Sequence, residues 1–312
     1  MKAILVKEFG PPDGLALVDL PAPVAGDGQV VVAVEAIGVG LVDVLARRGH
    51  LGAAAPGFAP GVEVAGRVET VGTGVDPALI GKRVFALGRG GYAEQFVADR
   101  DGVFPLPETV SAEAAMALGV NALVARLSIE RARLAAGERV LVRGASGGIG
   151  AVAAQMAASS GAIVTATTRA EAAEQVRGMG VQEVIRRDLD PEPEGPFDVV
   201  IDPVAGDGML ALIGTLARNG RYVVNGAAAG FPPAGIDQAM LQNFSKSLTY
   251  SMVSLDSVAK TELARVAAAV FAEAARGALR PIVAEVLPLR DAARAHRMLE
   301  TGKRFGKIVL QP

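Results

Sequence analysis

Three glycines lie at intervals of three residues in the middle of the chain, at Gly144, Gly147 and Gly150. An apolar run precedes them at 139–142, and an alanine-rich run typical of a helix follows at 151–157. Glycines allow the tight turn from strand to helix, and the N–H groups and positive dipole end of that helix attract phosphate. The pattern predicts a dinucleotide site, with the pyrophosphate bound by five adjacent residues: Ser146, Gly147, Gly148, Ile149 and Gly150.

Two other enzyme classes are alternatives, and each requires a further motif. The spacing of Gly144, Ser146 and Gly148 also matches the nucleophile elbow of α/β-hydrolases, which needs a histidine later in the chain. His296 is the only histidine after Ser146, and it lies in a charged run predicted to be helical, whereas the hydrolase histidine usually lies on a loop. Short-chain reductases need Tyr-x-x-x-Lys, and none of the three tyrosines has a lysine four residues on. The sequence favours dinucleotide binding and disfavours both of these classes.

The end of the second predicted strand, at 162–167, indicates which dinucleotide is bound. NAD sites place an acid there to hold the ribose 2′-hydroxyl, but here Thr168 and Arg169 follow, and the first acid is Glu171. An acid beside a 2′-phosphate would cost up to about 4 kcal/mol at 4 Å and a dielectric constant of 20, whereas arginine attracts phosphate and forms forked hydrogen bonds with it. We expect NADPH, with Thr168 and Arg169 facing the adenosine ribose phosphate.

The composition excludes several other classes of protein. The chain has 312 residues, 51% of them hydrophobic, and a formal net charge of −2, so it can form a large core and nucleic-acid binding is not expected. Cysteine is absent, which excludes disulfides and thiolate-bound metal and fits a reducing, cytoplasmic environment. No run is expected to approach the roughly 20 apolar residues of a membrane span.

The elements that must position the glycine turn fall into two patterns. The first ~120 residues contain short valine-rich runs separated by Gly and Pro, which predict a mostly antiparallel β module. From about Ser111, apolar strands alternate with helices at 149–160, 170–178 and 208–218, which predicts a parallel sheet buried on both faces. A helix at 256–276, a strand at 282–287, a helix at 290–301 and a strand at 307–310 complete the chain. We expect this tail to return to the β module, so that the nucleotide domain is inserted between its two parts.

A likeness to a known family extends nearly end to end along the chain. It rests on the opening Met1-Lys2-Ala3-Ile4, the glycine turn, and five further runs: 61–68, 90–94, 137–142, 202–206 and 219–224, with the ending 306–310. In these runs the chain resembles the zinc-independent quinone oxidoreductase branch of the medium-chain dehydrogenase/reductase superfamily. The resemblance implies an α/β fold in which a Rossmann doubly wound parallel sheet is inserted in a GroES-like, β-rich catalytic domain. The predicted limits are 1–122 and 256–312 for the catalytic domain and 123–255 for the Rossmann NADPH-binding domain.

The resemblance also implies an activity. It implies NADPH-dependent hydride transfer to quinones or α,β-unsaturated carbonyl compounds, a small electrophilic substrate and a homodimer. The chain departs from the branch at Leu45 and Asn121, where the family often has tyrosine and threonine, so substrate preference cannot be copied from a relative. An enoyl-thioester reductase and a non-catalytic dinucleotide-binding protein remain alternatives.

Zinc is not expected, because the Gly-His-Glu segment of the zinc-dependent relatives is here Gly61-Val62-Glu63 and cysteine ligands are absent. We interpret Asp43 and Glu63 as structural, bonded to neighbouring backbone. Negative charge on the substrate oxygen needs a hydrogen-bond donor, for which Asn121 and Tyr92 are candidates, while His50 is expected to be an exposed loop residue. Four residues at the carboxyl ends of later strands complete the predicted cofactor site: Val204, Asn225, Gly226 and Ala227.

Overall fold

The computed structural model describes residues 1–52 and 55–312. Among these residues, the chain forms two compact units, Met1–Val120 with Lys260–Pro312, and Asn121–Ala259. The domain limits predicted from the sequence remain predictions, because compactness alone does not show which segments fold independently.

The described residues form fifteen strands and eight helices. In chain order they are β1 (Lys2–Val6), β2 (Leu15–Asp19), β3 (Gln29–Val39), α1 (Leu41–Arg47), β4 (Glu63–Val71), β5 (Arg83–Leu87), β6 (Gln95–Asp99), β7 (Val103–Pro105), α2 (Ala112–Ala132), β8 (Arg139–Val142), α3 (Gly148–Ser159), β9 (Ile163–Thr168), α4 (Ala173–Arg177), β10 (Glu183–Arg186), β11 (Phe197–Asp202), α5 (Met209–Gly214), β12 (Leu216–Val224), α6 (Ile236–Gln242), β13 (Thr249–Met252), α7 (Lys260–Ala275), β14 (Val283–Pro288), α8 (Ala292–Thr301) and β15 (Lys307–Gln311).

The first unit is built on a mixed sheet with the order β14-β15-β3-β4-β5-β7, and β6 also pairs with β3. Strands β1 and β2 form a separate antiparallel pair. The last strand, β15, pairs antiparallel with β3, with Ile308 opposite Val39 and Leu310 opposite Ile37. These side chains have no more than 1% exposed surface and belong to one hydrophobic core. The tail of the chain therefore returns to the sheet that the N-terminal segment begins.

The second unit contains a six-stranded parallel sheet with the order β10-β9-β8-β11-β12-β13. Its central strands are continuous apolar runs, and Val140, Leu141 and Val142 of β8 are fully buried, as expected for a sheet covered on both faces. The strand order reverses between β8 and β11, which makes the sheet doubly wound and creates a crevice where open sheets bind ligands. The predicted Rossmann fold is confirmed.

Two predicted boundaries are wrong. The helix expected at 208–218 ends at Gly214, and the chain enters β12 at Leu216. Leu216 pairs with Phe197 before a register shift that brings Arg221 opposite Val199, so strand pairing overrides the local helical pattern. The helix expected from Asp256 begins at Lys260, because a single 3₁₀ turn, Leu255–Ser257, precedes it.

Helix α2 corrects the expectation that no run approaches the length of a membrane span. Its 21 residues are long and apolar enough to cross a membrane by length and composition. However, 72% of its most apolar window is buried inside the structure, which is typical of a core helix. The helix is also kinked at Gly119, whose backbone angles are not helical.

Candidate functional site

The turn between β8 and α3 has the geometry that the glycines predict. Gly144 has a φ of +60°, in the left-handed region that favours glycine, and its carbonyl accepts a hydrogen bond from the Gly147 N–H at 2.9 Å. Helix α3 begins at Gly148, so its first N–H groups have no carbonyl partner within the helix. Ser146 lies in the turn just before them. The local structure can therefore receive an anion at the start of α3.

The third glycine of the motif is required by close packing. A Cβ atom on Gly150 would lie 2.8 Å from the carbonyl carbon of Gly144 and 3.0 Å from the carbonyl oxygen of Arg143. Both are backbone atoms that cannot move aside without displacing β8. Gly150 thus allows α3 to pack directly against the end of the strand, which fixes the direction of the helix at its N-terminus.

Asn121 lies against the same helix end. Its side chain is buried, and a Cβ atom on Gly148 would lie 2.7 Å from the Asn121 amide carbon. The amide therefore occupies the space that a side chain at Gly148 would fill. Of the two proposed donors, Asn121 is the one that the structure brings to the start of α3, although its catalytic role remains a prediction.

An arginine cluster borders the end of β9. Thr168 is the last residue of β9 and Arg169 follows it, while Arg143 and Arg187 follow the neighbouring strands β8 and β10. Desolvation, and after it the positive charge of Arg169, lowers the pKa of Arg187, and Arg143 contributes in the same direction. A cavity of about 180 Å³ lies here, lined by residues that include Arg143, Thr167 and Arg187. The site carries a concentration of positive charge suited to a phosphate.

Two acids near this cluster, Asp190 and Asp202, already form ion pairs with arginines. Asp190 accepts three hydrogen bonds from the Arg186 guanidinium, at 2.6, 3.0 and 3.2 Å, and these, with a hydrogen bond from the Arg186 backbone N–H, lower its pKa to about 2. Arg143 pairs with Asp202 at 2.7 Å. Arg187, by contrast, has no ion pair within 4 Å among residues 1–52 and 55–312. Its charge is therefore available to a ligand.

Buried polar atoms near the strand ends also indicate that this edge of the sheet binds a ligand. The Thr168 hydroxyl is buried and has no hydrogen-bond partner within the described part of the chain. Asn225 donates to the Ser128 hydroxyl at 2.8 Å, but its side-chain oxygen is buried and unpartnered among the described residues. Such atoms are costly to bury and are usually explained by an absent water or ligand.

Asp202, the last residue of β11, shapes the segment that carries Val204. One carboxylate oxygen accepts from the N–H groups of Val204 and Ala205 at 2.8 Å and 2.9 Å, and the other accepts from the Tyr222 hydroxyl at 2.6 Å. On the next strand, the Asn225 N–H donates to the Asp202 carbonyl. Gly226 and Ala227 follow without regular structure. All four predicted strand-end residues thus lie at the carboxyl edge of the sheet.

Tyr92 lies in the first unit with no exposed surface. Its hydroxyl is 3.0 Å from His296 Nε2 and 3.3 Å from Asp43 Oδ2. This burial disfavours the prediction that Tyr92 donates to a substrate. His296, expected on a charged helix, has its side chain buried on α8, and burial lowers its pKa to about 3, so the imidazole is neutral. His50 is exposed, as predicted.

Asp43 and Glu63 have the structural roles predicted for them. Asp43 accepts from the backbone N–H groups of Gly40 at 2.8 Å and Gly61 at 3.1 Å, and burial raises its pKa to about 6. Glu63 accepts from the Val120 N–H at 2.8 Å, just after the kink in α2, and pairs with Lys307 at 2.5 Å. Among the described residues, no group of three or more His, Asp or Glu side chains is arranged to hold a metal ion.

The comparisons with known proteins agree with this fold. Residues 26–108 match the alcohol dehydrogenase GroES-like domain, and residues 148–310 match the zinc-binding dehydrogenase family. The mouse (Mus musculus) quinone oxidoreductase is 34% identical over 99% of this chain and 97% of its own length. The chain belongs to the quinone oxidoreductase branch of the medium-chain dehydrogenase/reductase superfamily. It is accordingly an oxidoreductase.

Solved members of this branch superpose on the whole chain. A mycobacterial protein solved in complex with NADPH is 32% identical, with a TM-score of 0.93 and full coverage of both chains. The Escherichia coli quinone oxidoreductase, also solved with NADPH, is 27% identical, with a TM-score of 0.94 and full coverage.

Sequence reasoning missed three charged residues of the candidate sites. Arg187 carries the unpaired charge beside Arg169, Asp202 organises the segment after β11, and Lys307 neutralises Glu63. Arg187 follows β10, which pairs parallel with β9, and the carboxyl ends of parallel strands meet at one edge of the sheet. No comparable signal connects Lys307 with Glu63, since 244 residues separate them.

Proposed function

We propose that this oxidoreductase uses NADPH to reduce quinones or other α,β-unsaturated carbonyl compounds by hydride transfer, without zinc. The cofactor assignment rests on the guanidinium of Arg187, which has no ion pair among the described residues. Arg187 lies beside Arg169, the residue that follows β9, and β9 is the strand that comes after the glycine turn. The buried, unpartnered hydroxyl of Thr168 fits the same phosphate. The NADPH complexes of two structural relatives support the proposal.

In this proposal the protein binds and orients, and bound NADPH supplies the hydride. The N–H groups of Gly148, Ile149 and Gly150 bind the pyrophosphate, and Ser146 lies beside them. The Gly147 N–H, which was predicted to bind it too, instead donates to the Gly144 carbonyl. Thr168 and Arg169 hold the ribose phosphate, and we propose that Arg187 holds it as well. At the other strand ends, Val204, Gly226 and Ala227 line the cofactor, and Asn225 uses its free side-chain oxygen on the nicotinamide side.

Asn121 is the proposed donor to the substrate oxygen that becomes negatively charged. A donor that acts mainly on this charge stabilises the transition state more than the bound substrate. We expect Asn121→Ala to lower kcat by about 100-fold with little change in KM, a typical loss for one such donor. Asn243→Ala is a matched control, because Asn243 bonds the Ala239 carbonyl at the end of α6. Equal kcat values for the two variants would remove Asn121 from the mechanism.

The cofactor assignment is tested by the Arg187→Met variant. We expect its KM for NADPH to rise about tenfold or more, while the KM for NADH stays within a factor of two, because only NADPH carries the 2′-phosphate. Arg218→Met is the matched control, since Arg218 is an exposed arginine of the same unit on β12. A parallel rise for both nucleotides would show that Arg187 does not contact the 2′-phosphate.

Substrate class is tested by following NADPH oxidation with 1,4-benzoquinone, a simple enone and crotonyl-CoA. Turnover of the first two supports the proposal, and exclusive turnover of crotonyl-CoA would assign an enoyl-thioester reductase instead. Tight NADPH binding with no turnover of any substrate would indicate a non-catalytic binding protein.

The proposal that the enzyme works without zinc rests on the side chains at the positions where zinc-dependent relatives bind the metal. Val62 stands where zinc-dependent relatives have histidine, and the nearby carboxylates of Asp43 and Glu63 are already bonded to backbone N–H groups and to Lys307. We expect dialysis against 1,10-phenanthroline to leave the rate unchanged. A loss of rate that added Zn²⁺ restores would contradict this part of the proposal.

We further propose a cytoplasmic homodimer. Strand β13 is an edge of the parallel sheet, and its last residue, Met252, is 56% exposed. Phe244, in the short turn before it, is 79% exposed, and such apolar patches commonly mark interfaces between chains. Light scattering of the purified protein should give twice the mass of one chain, and a monomeric mass would refute this assignment.

A further inference from the structure

A second concave site lies in the first unit, beside the end of α1. It has a volume of about 450 Å³ and is lined by residues that include Pro11, Pro12, Arg47, Arg48, His50 and Glu300. None of these residues belongs to the glycine turn or to the strand ends described above. The Gly10 N–H donates a hydrogen bond to the Arg47 carbonyl at 3.2 Å. This bond connects the end of α1 with the segment of residues 10–12 that also lines the cavity.

Arg47 is the unusual residue of this cavity. Its side chain is only 1% exposed, and one guanidinium nitrogen donates to Glu300 at 2.6 Å. Its Nε and Nη1 atoms are buried without any hydrogen-bond partner among residues 1–52 and 55–312. Buried guanidinium N–H groups are seldom left unpaired, because they lose hydration without gaining an acceptor. Arg47 lines the cavity, so an acceptor supplied from outside the chain would have to enter there to pair these donors.

The local charge indicates what kind of acceptor fits. Arg48 donates to the same Glu300 oxygen as Arg47, also at 2.6 Å, so two guanidinium groups share a single carboxylate. One positive charge is left over in the lining of the cavity. The Arg48 side chain is 45% exposed and can approach a ligand that enters from solvent.

We propose that this cavity binds a small oxyanion, a carboxylate or a phosphate, through the guanidinium groups of Arg47 and Arg48. Both anions match the planar, forked donor set of arginine and can accept from two nitrogens at once. The site is independent of the dinucleotide site, because it uses none of the same residues.

Calorimetric titration of the full-length protein with inorganic phosphate, and separately with acetate, tests the proposal. We expect saturable binding of at least one of these anions with a Kd below about 10 mM, and the stronger of the two identifies the preferred class. Arg48→Met should weaken that binding about tenfold or more. Since Arg47→Lys can fail to fold, Arg48→Met is the decisive variant, and circular dichroism confirms its fold.

The control must separate this cavity from the arginine cluster at the end of β9, where phosphate can also bind. Arg187→Met removes one positive charge there and should leave binding at the Arg47 cavity unchanged. The reverse pattern, with Arg187→Met weakening binding and Arg48→Met having no effect, would overturn the proposal. So would the absence of binding by either anion, which would mean that water alone satisfies Arg47.

Discussion

The buried imidazole of His296 should make the stability of the protein sensitive to acid. Burial lowers the pKa of His296 to about 3 in the folded chain, whereas an unfolded histidine titrates near 6.5. Because the folded-state pKa is depressed, the unfolded chain takes up the proton first as the pH falls. The stabilisation by the neutral imidazole is complete above about pH 6.5 and is lost toward pH 3. Between pH 7 and pH 4 this loss is about 3 kcal/mol of unfolding free energy.

Asp43, on the other side of the Tyr92 hydroxyl, acts in the opposite direction. Burial raises its pKa to about 6 from an ordinary value of 3.8, so the folded chain takes up this proton before the unfolded chain does. A raised folded-state pKa stabilises the protein at low pH, and the stabilisation disappears as the pH rises through 6. Between pH 7 and pH 4, protonation of Asp43 adds about 2 kcal/mol. The two groups together leave the wild type with a net loss of about 1 kcal/mol.

Urea unfolding followed by far-ultraviolet circular dichroism at pH 7 and pH 4 measures both contributions. Relative to wild type, His296→Gln should lose about 3 kcal/mol less between these pH values, and Asp43→Asn about 2 kcal/mol more. His50→Gln is the matched control, because it makes the same substitution at an exposed histidine. All other titrating groups are common to the four proteins and cancel in the comparison. An identical pH dependence for wild type and His296→Gln would refute the reasoning.

Three further substitutions have defined outcomes. Gly150→Ala should cost about 1–3 kcal/mol of unfolding free energy in urea, since its Cβ meets the Gly144 backbone, and should weaken NADPH binding measured by coenzyme fluorescence. An unchanged affinity would show that the packing of α3 does not govern the site. Lys307→Met should cost about 3–5 kcal/mol in the same unfolding assay by leaving Glu63 buried without its partner, and a cost below 1 kcal/mol would contradict this assignment. Ser146→Ala should keep measurable NADPH-dependent turnover with a higher KM for NADPH; an unchanged KM would show that Ser146 does not contact the cofactor.

Local sequence signals were sufficient where the physics is local. The glycine turn was predictable because tight turning, close helix packing and exposed N–H groups all act within seven residues. The parallel sheet was predictable because continuous apolar strands alternating with helices have few other ways to become buried. The boundary between α5 and β12 was not, because the register with Phe197, a residue from another strand, decides it.

The charged interior was less predictable, because it depends on partners that are distant in the chain. The sequence indicated that Asp43 and Glu63 bond to backbone, but not that Lys307 neutralises Glu63. It indicated a basic residue after β9, whereas Arg187 follows a different strand, and its place beside Arg169 becomes evident only in the folded sheet. His296 shows most clearly that the neighbours of a residue in the sequence do not reveal its burial. Its neighbours in the sequence are charged, yet His296 has no exposed surface in the fold.

The position of β15 has a consequence for biosynthesis. This strand lies between β14 and β3 in the sheet of the first unit, yet it is formed by residues 307–311. A ribosome therefore exposes β3 hundreds of residues before it releases the strand that covers its edge, while every strand of the second unit emerges in one continuous stretch. In a nascent chain halted before residue 307, all six strands of the parallel sheet have been synthesised, whereas residues 37–39 of β3 lack their β15 partner and leave an open, apolar edge, the kind of surface that chaperones bind.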